Sequence, residues 1–79
     1  MDILNVIVTS KTSGLVVAID SYPVHEEQLK DEVVAKAEKR YVDLCVDNGI
    51  DEVVAEESIE DGCIENEIHL FSIVWSYGQ

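Results

Sequence analysis

The sequence predicts an α+β domain of order ββαββ, with one amphipathic helix packed on a mainly antiparallel four-stranded sheet. Three observations predict it: apolar residues alternate with period two toward both ends of the chain, one central stretch has period 3.6, and glycine-containing turns separate the alternating segments. At 79 residues the chain can build one hydrophobic core, so residues 1–79 are expected to form a single domain.

Residues 3–10 carry Leu4, Val6 and Val8 on one face of a strand, and residues 15–22 carry Leu15, Val17 and Ile19 on one face of the next. Lys11, Thr12, Ser13 and Gly14 supply the turn between them. A loop of two or of four residues would keep those six side chains on one side of the hairpin. Pro23 has no amide proton to donate and is expected to end the second strand.

From about residue 26 to residue 48 the period changes. Leu29, Val33, Val34, Ala37, Tyr41, Leu44 and Cys45 make one apolar stripe, the pattern of a helix with one buried face. Glu26 and Glu27 suit the positive N-terminal end, and Asn48–Gly49 is a strong stop signal. Asp43 and Asp47 lie in the last turns, where the helix dipole disfavours acids by about 0.3 to 1 kcal/mol each. Val42 and Val46 form a small apolar spot on the outer side of this helix.

Residues 52–59 and 64–77 read as two further strands, joined at Asp61–Gly62, a dipeptide that favours a tight hairpin turn. A two-residue loop opposes Ile59 with Ile64, Ala55 with Ile68 and Val53 with Leu70 on the face toward the helix. The other face then opposes Glu56 with Glu67 and Glu52 with Phe71. Farther along, that outer face becomes apolar through Phe71, Ile73, Trp75 and Tyr77, with Ile3, Ile7, Val16 and Tyr22 available from the first hairpin. One helix covers only one face of a sheet, so Ile7, Tyr22, Phe71, Ile73, Trp75 and Tyr77 are expected to form an apolar or dimer interface.

Charge narrows the function classes. Seventeen acids against five bases give a net charge of −12, which opposes binding to nucleic-acid phosphates or to anionic membranes. The imbalance is concentrated: residues 1–40 hold seven acids and all five bases, residues 41–79 ten acids and no base. No run of residues is long and apolar enough for a membrane span, and the basic start of a secretory signal is lacking, so the expected location is the cytoplasm, or a host cytoplasm if the chain is phage-encoded. Two cysteines, each beside apolar neighbours, do not make a disulfide scaffold.

No chemistry-bearing pattern accompanies these features. Cys45, Cys63, His25 and His69 lack the close pairing that pre-organises zinc, and residues 51–62 lack the alternating acids and central glycine of a calcium loop. No nucleophile–base arrangement or phosphate-cradling glycine loop is evident. The expectation is therefore a non-enzymatic protein with no cofactor, no metal and no catalytic residue. Its expected partner site is a ladder of carboxylates on the second hairpin: Glu52, Glu56, Glu57, Glu60, Asp61, Glu65 and Glu67. Such a ladder would accept hydrogen bonds from arginine and lysine and occupy the basic, nucleic-acid-binding surface of another protein. In size and charge the chain is similar to small acidic proteins that phages direct at host nucleases, restriction systems and CRISPR complexes. That likeness lies in composition and implies an inhibitor or nucleic-acid mimic. The alternative expectation is a structural or regulatory homodimer joined through the apolar sheet face, with the acids serving solubility.

Overall fold

The computed structural model describes residues 1–77. It is an α+β fold: β1 (Asp2–Ser10), β2 (Val16–Val24), a single 3₁₀ turn (Glu27–Leu29), α1 (Lys30–Asp47), α2 (Glu52–Ser58), β3 (Cys63–Glu65) and β4 (His69–Tyr77). The strands form one antiparallel sheet in the order β2-β1-β4-β3. α1 lies across one face of it, as the sequence predicts, and buries Ala37, Tyr41 and Cys45 of the expected stripe against Leu4, Val6, Val8, Phe71 and Ile73. Leu29, expected in the same stripe, precedes the helix and stays 41% exposed.

Three expectations are corrected. Residues 52–58 are a helix, so the acidic β-ribbon does not form and Glu56 does not oppose Glu67. Asp51 starts this helix: its Oδ2 accepts hydrogen bonds from the amides of Val53 at 3.1 Å and Val54 at 3.3 Å. Ala55 and Ser58, three residues apart, are the buried positions, whereas the strand reading needed Glu57 on the apolar face. Gly62, at φ +81°, closes the helix instead of turning a hairpin, and its amide bonds the carbonyls of Ser58 and Ile59 at 3.0 and 3.1 Å. The hairpin partner of β4 is the three-residue β3, through Cys63↔Ser72, Ile64↔Phe71 and Glu65↔Leu70.

The second correction concerns β2. Five residues, Lys11–Leu15, separate it from β1, with the Ser10 amide bonded to the Leu15 carbonyl at 2.9 Å, and a β-bulge follows between Val8/Thr9 and their partners. Thr9 pairs with Val16 and Val8 with Ala18, so one extra residue inverts every later side chain of β2. Ala18, Asp20 and Tyr22 then share the helix face with Val8, Val6 and Leu4, while Ile19 shares the open face with Ile7. Pro23 does not end the strand but pairs with Ile3. β2 is an edge strand, where a missing amide donor is tolerated on the side away from its neighbour.

The third follows from the first. Without a ribbon to set its register, β4 pairs with β1 so that Phe71, Ile73 and Trp75 oppose Val8, Val6 and Leu4 on the helix side. Phe71 and Ile73 are core residues, and Tyr22 and Trp75 pack against that core. Of the six residues expected at an apolar interface, Ile7 alone shares the open face; Tyr77 lies 73% exposed at the strand end, stacked on Trp75.

α2 is fixed to α1 by a buried polar pin. The Ser58 hydroxyl donates to the Ala55 carbonyl at 2.7 Å, which consumes its single proton. The Tyr41 hydroxyl, 2.7 Å from Ser58 Oγ, is therefore the donor of the second bond. Among the described residues no helix is long and apolar enough to cross a membrane.

Candidate functional site

The second helix redistributes the acids. On α1, Glu38, Val42 and Val46 recur every four residues and so lie along one side of the helix, with Asp43 and Asp47 beside the valines. On α2, Glu52 and Glu56 are likewise one turn apart. Because the Tyr41–Ser58 pin holds the helices together, these two rows meet across a groove. One part, of ≈ 340 Å³, is lined by Arg40, Val42, Asp43, Val46, Asp47 and Glu52. The adjoining part, of ≈ 370 Å³, shares Val42, Asp43 and Glu52 and adds Glu38, Lys39, Glu56 and Ile59. The groove thus has a floor of Val42, Val46 and Ile59 and carboxylates on both walls. A further hollow of ≈ 280 Å³ continues from Glu38 and Ile59 to Glu60 and Asp61.

Four of the seven carboxylates expected at a partner site, Glu52, Glu56, Glu60 and Asp61, therefore converge with Glu38, Asp43 and Asp47 on this side of the molecule. The other three do not join them. Glu57 is exposed on α2 without lining the groove, and Glu67 sits in the turn between β3 and β4. Glu65 pairs with Lys11 at 3.4 Å. The helix acids escape a search for a strand ladder, yet they leave a signal in the sequence: Asp43 and Asp47 occupy the helix end that the dipole makes unfavourable for them, next to two valines outside the apolar stripe, of which Val46 is exposed and Val42 half-buried against the core.

The groove's two cations are already engaged. Lys39 Nζ is 3.1 Å from Asp43 Oδ2, and Arg40 Nε donates to Asp20 Oδ2 at 2.9 Å. That hydrogen bond, and the Asp20 charge behind it, hold the Arg40 guanidinium above its ordinary pKa. Among the described residues no ion-pair partner offsets Glu38, Asp47, Glu52 or Glu56. Four carboxylates bordering one apolar floor repel one another and make the groove a focus of negative potential.

The remaining candidate chemistry is dispersed. Cys45 is fully buried, and loss of hydration pushes its thiol up to about 11, far from the thiolate that a nucleophile needs. Cys63 is exposed on the sheet, and His69 is half-buried in a tilted contact with Phe71. Among the described residues no three His, Cys, Asp or Glu side chains are grouped to hold a metal ion. Comparison with known proteins finds no matching family model, no matching curated protein and no matching solved structure.

Proposed function

We propose that the α1–α2 groove docks a lysine- and arginine-rich surface of another protein, of the kind that otherwise holds nucleic acid. The observation that carries this reading is the convergence of Glu38, Asp47, Glu52 and Glu56 from two helices onto one valine-floored groove whose own cations are paired off. An arginine entering it would replace like-charge repulsion with charge-assisted hydrogen bonds, and its methylene stem would cover Val42, Val46 or Ile59. The acids form a groove and not a ladder on a flat ribbon, so recognition here is of protruding basic side chains, not an imitation of evenly spaced phosphates. By covering a basic surface the chain would act as a non-catalytic inhibitor. That role accords with its compositional likeness to phage proteins aimed at host defence.

Two double charge reversals with the same change in net charge test this. Glu52→Lys/Glu56→Lys alters the groove; Glu57→Lys/Glu67→Lys alters acids outside it. In displacement of a labelled oligonucleotide from a panel of basic nucleic-acid-binding proteins, the wild type should compete with at least one of them. The groove variant should lose more than about tenfold in affinity, roughly 1.4 kcal/mol, while the outside variant stays near wild type. Equal losses in the two variants would mean that net charge alone is responsible and would reject the groove.

A further inference from the structure

The face of the sheet turned away from α1 is left uncovered by the fold. Ile3, Ile7, Ile19, Leu70 and Val74 project from it, with Ile19 57% and Val74 42% exposed. No outward position of β1, β2 or β4 carries a charge, in a chain whose net charge is −12. At the margin of this face Glu65 and Lys11 neutralise one another at 3.4 Å.

A polar row crosses the middle of this face and is already satisfied from within. Ser21 Oγ donates to Asn5 Oδ1 at 2.8 Å, and Asn5 Nδ2 donates to Ser76 Oγ at 3.1 Å, linking β2, β1 and β4. Asn5 is only 9% exposed although it lies on an open sheet face. An asparagine bonded on both ends by its neighbours can lose its water without leaving a polar group unpaired, which is the condition for burying it in an interface.

We infer that this face is where two copies of the chain meet, sheet against sheet. Charge selects the occupant. Approach through the helix side brings acids toward acids, whereas this one joins uncharged surfaces and directs the α1–α2 grooves of both copies outward. The area sets the strength. Nine-residue strands at about 3.4 Å per residue and three strands at about 4.8 Å spacing give roughly 430 Å² in projection. Two copies therefore bury about 860 Å² before the relief of the side chains is added, at the low end for specific interfaces, so the dimer exchanges with monomer as concentration changes. The inference is independent of what the groove binds.

Sedimentation equilibrium from micromolar to sub-millimolar concentration tests it. The wild type should shift from one chain mass toward twice that mass. Val74→Glu and Ile19→Glu, each at an exposed strand position, should stay monomeric with unchanged circular dichroism. Val53→Glu makes the same chemical change at a 60% exposed site on α2 and should dimerise like the wild type. A bismaleimide should link two copies through Cys63, the exposed thiol on this face, in the wild type and not in Val74→Glu. A wild type that remains monomeric throughout overturns the inference. So does a dimer that survives Val74→Glu, because it would be pairing elsewhere, for example along the free edge of β2.

Discussion

Tyr41 and Cys45 stand one turn apart on α1, both with no solvent exposure, and burial disfavours the charged form of each. Burial pushes the Tyr41 phenol from 10.0 up to about 12 and the Cys45 thiol from 9.0 up to about 11. In both cases the folded state holds the proton more tightly than the unfolded chain does. Their contribution to stability is therefore complete below pH 9, starts to fall as the unfolded thiol ionises, and falls further above pH 10 as the unfolded phenol follows. The steepest loss is about 1.4 kcal/mol per pH unit for each group. Thermal melts should be level from pH 7 to 9 and then drop, reaching their floor near pH 12. Tyr41→Phe removes the hydroxyl that donates to Ser58 and should cost about 1 kcal/mol at pH 7. It should also make the alkaline drop shallower, because the Tyr41 contribution is then gone while those of Cys45 and of Tyr22, which burial also raises, remain. A variant whose alkaline profile is superimposable on the wild type would show that Tyr41 is not shielded in this way.

α2 is the element on which both the fold correction and the candidate groove depend. With seven residues it is too short to persist alone, and it is held by its N-cap, by Gly62 behind it and by Ala55 and Ser58 beneath it. Asp51→Ala removes a side chain that satisfies two otherwise unpaired amides and should destabilise the protein by about 1 kcal/mol; Asp51→Asn should recover most of that loss. The effect should be local. Amide hydrogen exchange in Ala55–Ile59 should speed up in Asp51→Ala while β1 and β4 keep their protection, and uniform acceleration across all elements would contradict it. This segment also shows what the sequence carries and what it hides. The α1 stripe repeats over several turns, so period 3.6 is unambiguous there, and β1 alternates clearly enough to be placed; the expected strand 64–77 is instead broken by a turn at 66–68 into β3 and β4, and β4 presents its opposite face to the helix. Residues 52–59 span barely two turns, over which Val53, Ala55 and Ile59 fit an alternation almost as well as Ala55, Ser58 and Ile59 fit a helix. Glu57 and the Asp51 cap decide for the helix, and Asp–Gly serves to close a helix as readily as to turn a hairpin. The bulge in β2 has no comparable mark: Val16, Val17, Ala18 and Ile19 are all compatible with either face, and the choice is made by which neighbours give Tyr22 and Asp20 their partners, the core and Arg40. The carboxylates of the groove were thus half legible, as a concentration of acids without bases, but not their arrangement, which waits on the helix.

On the scale of the whole molecule, the fold separates its surfaces by charge: a neutral sheet face on one side and, on the other, helices that, together with the turns at their ends, carry most of the acids. Folding gathers seventeen carboxylates and five basic groups into one small body, so mutual repulsion opposes the compact state. Salt acts on two opposing terms. It weakens the exposed pairs Lys39–Asp43, Arg40–Asp20, Lys30–Glu27 and Lys11–Glu65, each worth about 0–1 kcal/mol. It also screens the repulsion among the acids left over, which have no base within residues 41–79. With acids outnumbering bases more than threefold the second term prevails, and salt should stabilise this protein where it weakens one held by surface ion pairs. The screening length falls from about 30 Å at 0.01 M to about 8 Å at 0.15 M and changes little in absolute terms beyond that. The gain should consequently be confined to the low-salt range. A relief of about 0.5–1 kcal/mol corresponds to a rise in Tm of roughly 2–8 °C for a domain of this size. Melts at low micromolar concentration, where dimerisation adds least, would show it. A Tm that is level or falls over this range would mean that the pairs, and not the repulsion, dominate, and that the groove acids are less crowded in solution than the fold makes them.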